Sequence, residues 1–199
     1  MPSYEYENQY LSEGFTCIAG TDEAGRGPLA GPVCAAAVIL PVGLEIEGLN
    51  DSKKISEKKR DMLFDIICEK AISYGIAYAS VEEIDELNIL NASQLAMRRA
   101  VDMLTPHPDL VIVDGNIARG FDCKAVTLIK GDSLSMSVAA ASILAKVSRD
   151  RVCMELDKQY PEYMLAQHKG YSTKLHMDLV RKYGPSPIHR KTFLKFLNK

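Results

Sequence analysis

The chain has no surplus of charge of either sign: 24 Lys and Arg stand against 26 Asp and Glu, a formal net charge of -2. That excludes a protein that holds nucleic acid merely by being cationic overall, so any phosphate binding must come from local segregation of charge. No run approaches the roughly 18 apolar residues of a membrane span. No basic segment followed by an apolar stretch opens the chain, which begins with the polar run Met1 to Asn8. A membrane partner is therefore not expected, and a cytoplasmic location is. The cysteines, Cys17, Cys34, Cys68, Cys123 and Cys153, are odd in number and scattered, with no C-x-x-C pair. This argues against a disulfide framework and against a zinc or redox motif, and leaves them as small buried hydrophobes in a reducing compartment. Internal repeats and low-complexity segments are absent as well.

What is present is an ordinary globular composition, 47% hydrophobic and 25% charged over 199 residues, enough for one domain with one sizeable core. Phe15 to Gly20 and Val33 to Leu40 are β-rich runs around a Gly/Pro-dense connection, Gly25 to Pro32. Helical spacing marks Ser56 to Ser73 and Asn91 to Leu104, with strands at Tyr74 to Val81 and Asp109 to Val113. Ser133 to Tyr160 is the longest expected helix, with Ala139, Ala140 and Ala141 suited to close packing on a sheet. Ser172 to Tyr183 and Ile188 to Leu197 are expected as two further helices. The pattern predicts a mixed α/β sheet flanked by helices, a single domain over 1–199, with a helical C-terminal extension from about residue 165.

Four acids stand at element ends. Asp22 and Glu23 follow the first apolar run and are followed at once by glycines. Side by side in a strand they face opposite ways, so convergence requires the strand to end or bulge there. Two such carboxylates repel unless a cation lies between them, yet acids and glycines also make solvated turns. Asp114 ends the run Leu110 to Val113, where Asp-Gly is commonly a turn. Asp132 precedes the long helix, where an N-cap is the simplest role. Gathered at one sheet edge, the four would form the all-oxygen donor set that Mg²⁺ or Mn²⁺ demands. Phosphate-loop readings fail because Gly25 is followed by Arg26 and Gly27 in place of Lys and Ser/Thr, and no G-x-G-x-x-G opens a helix there.

Seven runs occur in one order: Gly20-Thr-Asp-Glu-Ala-Gly-Arg-Gly-Pro-Leu-Ala-Gly-Pro32, Asn50-Asp-Ser-Lys-Lys54, Val113-Asp-Gly115, Lys130-Gly-Asp-Ser133, Ala139-Ala-Ala-Ser-Ile-Leu-Ala-Lys-Val147, His168-Lys-Gly-Tyr171 and Gly184-Pro-Ser-Pro-Ile-His-Arg190. Together they resemble bacterial ribonuclease HII over nearly the whole chain. The resemblance implies an RNase H-like fold and a metal-dependent endonuclease that cuts the RNA strand of RNA/DNA hybrids. It further implies incision 5′ of single ribonucleotides embedded in duplex DNA, as in ribonucleotide excision repair, by two-metal-ion hydrolysis leaving 3′-OH and 5′-phosphate ends.

On this resemblance Asp22, Glu23, Asp114 and Asp132 are the catalytic carboxylates and the ligands of two Mg²⁺ or Mn²⁺ ions, with Asp132 free to cap as well. Gly25, Arg26 and Gly27, with Tyr171, would recognise the ribose and the nucleotide after it, the 2′-hydroxyl being what separates RNA from DNA at that step. The plainer role for Tyr171 is a core tyrosine. Lys53, Lys54 and Ser133 are further candidates for phosphate contact, as is Lys146. Ordinary pairing on the helix is the alternative for Lys146 and Arg149, and His168 has no assigned role.

From His168 to Lys199 eight Lys and Arg (169, 174, 181, 182, 190, 191, 195, 199) face one acid, Asp178, an electrostatic footprint suited to a duplex. The spacing of His168, His176 and His189 fits no zinc pattern. A monomer acting on hybrid and ribonucleotide-containing duplex is expected. The rivals are a ribonuclease HIII-like hybrid nuclease and a catalytically silent hybrid-binding module, the latter requiring loss of an acid that this chain retains.

Overall fold

Apolar runs punctuated by Gly and Pro assemble into one mixed sheet. In the computed structural model, which describes residues 1–198, the strands are β1 (Ile18–Ala24), β2 (Val33–Ile39), β3 (Ser73–Ala79), β4 (Leu110–Asp114) and β5 (Lys124–Leu128). Their spatial order is β3-β2-β1-β4-β5. β1 and β3 flank β2 in antiparallel fashion, while β4 lies parallel to both β1 and β5. The helices are α1 (Glu5–Ser12), α2 (Glu57–Lys70), α3 (Val81–Leu87), α4 (Ile89–Asp102), α5 (Met136–Gln159), α6 (Leu165–His168) and α7 (Lys174–Tyr183).

β2 is buried along its whole length because both faces are covered. Ala36 and Val38 pack beneath α5 and α2, whereas Ala35, Ala37 and Ile39 pack beneath α4. A separate core of Leu29, Ala30, Tyr163, Leu165, Val180, Ile188 and Leu194 docks the C-terminal segment on the β1–β2 connection. The α5 face that meets the sheet is built of small residues, Ala139 to Ala141, so helix and strand approach closely. Gly20 is the point of contact: a Cβ there would collide with the main chain of α5 at Ser137 and Val138.

Several boundaries differ from the sequence expectation. β1 neither ends nor bulges at Asp22 and Glu23, where the sequence expectation had it do so. Its ladder runs on to Ala24, pairing Asp22 with Ala36 and Glu23 with Ala35, because the alanine partners leave room and the first chain-breaking residue is Gly25, at φ +97°. The long helix starts at Met136 because Ser135 caps it, its hydroxyl accepting from the Val138 N–H at 3.2 Å. Asp132 lies instead in a single 3-10 turn, Gly131–Ser133, so the cap role falls away.

Ile188 to Leu197 is not an α-helix but two 3-10 turns, Lys191–Phe193 and Lys195–Asn198. The Asp85 carboxylate takes the N–H groups of Lys191 and Thr192 and holds that chain to α3. Four elements were not anticipated, one of them the single helical turn α6. α3 carries a readable signal, the Ser80–Glu83 capping box. β5 is a five-residue, half-exposed edge strand with little pattern. α1 is polar and is held by a long-range contact: its buried Glu7 carboxylate accepts from the Ser137 N–H and from the hydroxyls of Ser135 and Ser137.

The Gly20→Ala substitution is expected to destabilise the protein by about 3 kcal/mol, since the atoms it meets are helix backbone and cannot swing aside. Urea unfolding of the purified variant reads this directly, and a midpoint equal to that of the wild type would refute the close-packing argument.

Candidate active site

Parallel pairing of β1 with β4 sets Thr21 opposite Val113. One step further, at the carboxyl ends of both strands, Asp22 and Asp114 become lateral neighbours. Asp22 is buried on the α5 side of the sheet, where its Oδ1 accepts from the Glu23 N–H at 2.7 Å. The Ser142 hydroxyl of α5 stands beside it and favours its ionised form, and Ser142 is in turn 2.9 Å from the Ser52 hydroxyl. Asp114 Oδ1 accepts from the Gly131 N–H at 2.6 Å, which hooks the 131–133 turn onto the end of β4 and brings Asp132 alongside. Asp132 is buried, with Lys53 Nζ 3.5 Å from its Oδ2 and the Ser133 hydroxyl 3.4 Å from its Oδ1. Glu23 lies 3.3 Å from Arg26, and Lys54 turns away to Asp51 at 3.6 Å.

The electrostatics of this edge push three of its acids toward protonation. Burial, then the charges of Glu23 and Asp114, hold the Asp22 carboxyl well above its usual range. Burial raises Glu23 against the opposing pull of Arg26, and Asp114 adds to the rise. Asp114 is raised by burial and by Asp132. Lys53 is raised in turn, because the charges of Asp132, Asp22 and Asp51 outweigh its partial burial. Among the described residues no three His, Cys, Asp or Glu side chains stand in a closed ligating cluster. Mutual repulsion explains why neighbouring carboxylates stay apart. The donor set is nonetheless all oxygen and short of countercharge, which fits a hard divalent cation.

Beside the acids runs the β1–β2 connection. A Cβ on Gly25 would strike the Arg149 side chain, and one on Gly27 would lie 3.8 Å from Cε1 of Tyr171. The Tyr171 ring is 42% exposed, so it is not the core tyrosine that its residue type alone would suggest. The basic C-terminal stretch divides. Lys174, Lys182, Lys191 and Lys195 are exposed, and Arg181 pairs with Asp178 at 2.9 Å. Arg190 is wholly buried and points inward, so it cannot contribute to a phosphate-facing surface; Lys199 lies outside the described residues.

Lys146 makes the ordinary helix pair with Asp150 at 2.6 Å. Arg149 does not, and bonds instead to the main-chain oxygens of Ala30 and Lys169. The three histidines form a buried network: His168 stacks on His176 at 4.2 Å, and the Nε2 atoms of His176 and His189 are 3.1 Å apart. Their other nitrogens meet main-chain groups of Tyr163, Gly170, Tyr171 and Ser186. Ser142 and Ser52 fall inside the quoted runs without a role of their own, and Arg190 was expected on the phosphate-facing surface; its place beneath the β1–β2 connection was not anticipated.

The comparisons with known proteins converge. The sequence profile of Ribonuclease HII matches residues 19–196. The chain belongs to the ribonuclease HII family. It is 56% identical over 190 residues to the Ribonuclease HII of Ruminiclostridium cellulolyticum, covering 96% of this chain and 74% of that one. It is 58% identical over 177 residues to the Ribonuclease HII of a Marinomonas species, covering 88% and 89%. In structure it matches the ribonuclease H2 of Pyrococcus horikoshii with a TM-score of 0.73 at 26% identity, over 92% of this chain and 100% of that one. The fold is thus the RNase H-like α/β fold expected, and the protein is a ribonuclease H, a hydrolase.

Two outcomes follow from these charges in a ribonuclease HII. A carboxyl raised by folding binds its proton more tightly in the native state, so its ionised form destabilises that state above the ordinary carboxylate range. Asp22→Asn removes the most strongly raised of them and is expected to melt above the wild type in EDTA. Mg²⁺ or Mn²⁺ should lift the wild-type melt and leave that of the variant unchanged.

The second outcome concerns acid. Burial, then His176, lowers His189 to about 4, and burial lowers His168 and His176 as well. The unfolded chain therefore takes up protons near pH 6.5 that the native state refuses. The histidines' contribution to stability should fall as pH drops from about 6.5 toward 4, by as much as about 1.4 kcal/mol per pH unit for each, while the raised carboxyls of Asp22, Glu23 and Asp114 act in the opposite direction. The difference in urea midpoint between the wild type and His189→Gln, measured across that window, checks the sign because the carboxyls are common to both; a pH-independent difference would count against the neutral network.

Proposed function

We propose that the protein is an endonuclease that incises 5′ of ribonucleotides in duplex DNA and cuts the RNA strand of hybrids, leaving 3′-OH and 5′-phosphate ends. The observation that carries this reading is the gathering of buried and partly buried carboxylates at the carboxyl ends of β1 and β4, with only Arg26 and Lys53 as countercharge, directly beside an open flank formed by Gly27 and Tyr171. Asp22, Glu23, Asp114 and Asp132 would hold two Mg²⁺ or Mn²⁺ ions. Bound there, such ions supply Lewis-acid activation of water and neutralise charge on the leaving oxygen.

The chain's own residues supply position and countercharge. The Glu23 N–H orients the Asp22 carboxylate, with the Ser142 hydroxyl beside it, and the Gly131 N–H orients that of Asp114. These acids act as ligands, not as proton relays. Lys53 keeps most of its length in solvent while its ammonium stands over Asp132, which suits a phosphate contact next to the reacting one. Ser133 and Lys54 are the neighbouring candidates. Tyr171 offers an exposed ring for a sugar that lacks the 2′-hydroxyl, and Gly25 to Gly27 offer a main chain stripped of side-chain bulk at its two glycines. The four exposed lysines from Lys174 to Lys195 supply the attraction to backbone phosphate that the net charge of -2 does not. A monomer in the cytoplasm is the working assembly and location.

The test is incision of a duplex carrying one ribonucleotide, with Mg²⁺, with Mn²⁺ and without metal. The wild type should cut on the 5′ side of the ribonucleotide only when metal is present. Asp22→Asn should lower turnover by about a thousandfold or more while still binding the duplex. Incision of continuous RNA tracts alone would favour a ribonuclease HIII-like specificity, and binding without incision under any metal would favour a silent hybrid-binding module.

A further inference from the structure

The β1–β2 connection, residues 25–32, is held from beneath by a guanidinium with no carboxylate partner. Arg190 is fully buried. Its Nε donates to the Gly31 carbonyl at 2.9 Å and its Nη1 to that of Arg26 at 2.9 Å. Its Nη2 donates to Gly25 at 2.7 Å and to Pro32 at 3.2 Å. Nearly the whole donor fork is committed to one loop. Arg149 braces the same loop from α5 through Ala30 and reaches Lys169 near the base of Tyr171. Burial and the neighbouring Arg149 charge lower Arg190 to about 9, which leaves it protonated at neutral pH and its donors intact.

In a trans peptide the carbonyl of one residue and the N–H of the next point in opposite directions. With the Gly25 and Arg26 carbonyls drawn inward to Arg190, the N–H groups of Arg26 and Gly27 face outward. Among the described residues neither donates to another protein group. They emerge where Gly27 adjoins the exposed Tyr171 ring.

We infer that Arg190 is a positioning residue for sugar recognition: by gathering the carbonyls of residues 25–32 it presents the 26 and 27 amides to the ribonucleotide and sets the preference for a ribose at a junction with DNA. The inference rests on the functional reading above. A lysine cannot replace the fork, because an ammonium is a point charge on a flexible stem and does not reach carbonyls spread along a loop in a planar array.

The measurement is the ratio of kcat/KM on a duplex with one ribonucleotide to kcat/KM on a continuous RNA/DNA hybrid, for the wild type and Arg190→Lys, well below both melting points. The ratio should fall about tenfold in Arg190→Lys, as expected for the loss of one or two charge-assisted hydrogen bonds at a recognition element. A merely structural role would lower both activities together, and an unchanged ratio in a folded variant overturns the inference alone. Failure of the wild type to incise the single-ribonucleotide duplex overturns the functional reading and the inference with it.

Because removing a buried fork can unfold the loop, a second measurement uses the unaltered protein: amide hydrogen exchange at residues 25–32 with Ca²⁺ replacing the catalytic metal. Arg26 and Gly27 should exchange freely alone, become protected by ribonucleotide duplex, and stay unprotected with all-DNA duplex. Protection in the free protein, or none with either duplex, overturns the inference.

Discussion

The close contact of α5 with β1 organises everything that matters for this site. At Gly20 the helix backbone comes so near the strand that no side chain fits between them, and the alanines of α5 keep that distance small for the next turns. One rigid helix is thereby locked in register against the strand that bears Asp22. Its N-terminal approach carries the 131–133 turn with Asp132, its second turn carries Ser142 to the Asp22 carboxylate, and its middle carries Arg149 to the β1–β2 connection. A shift of the helix by one residue would move all three away together.

Around that frame the site is built against its own electrostatics. Carboxylates that burial and mutual repulsion push toward protonation are kept side by side by strand pairing and by main-chain N–H groups. The backbone ladder and the hydrophobic core supply the free energy that holds them there, and the cost is concentrated where a cation and a phosphate would relieve it. Lys53 and Arg26 give partial countercharge from exposed positions, close enough to moderate the field and loose enough to exchange partners.

The flank proposed to face the sugar follows the opposite principle. There the buried charges are cations, Arg149 and Arg190, answered by carbonyl dipoles in place of carboxylates. Three neutral histidines continue the same polar layer and tie the 168–171 segment to the 186–190 segment through main-chain bonds. A loop with glycines at 25, 27 and 31 would otherwise sample many conformations. Guanidinium bonds to its carbonyls restrict it without placing side-chain bulk on its outer surface.

Much of this was legible in the chain before folding. Apolar runs and Gly/Pro breaks marked four of the five strands, helical spacing marked α2, α4, α5 and α7, and the seven ordered motifs pointed to the acids, to Gly25–Gly27 and to Tyr171. The misses share a cause. β5 and α1 depend on neighbours for their burial, the last segment bends because Arg190 and Asp85 hold it, and β1 outruns its apolar stretch because its partner residues are alanines.

Residue type and spacing alone determined which groups could do chemistry here, since carboxylates, glycines and an aromatic ring carry their properties with them. Which faces they share, how strongly the acids perturb one another, and that a basic residue counted toward a phosphate surface is instead buried beneath a loop were decided only by tertiary structure. Those depend on distances between segments more than a hundred residues apart, and no local pattern encodes such a distance.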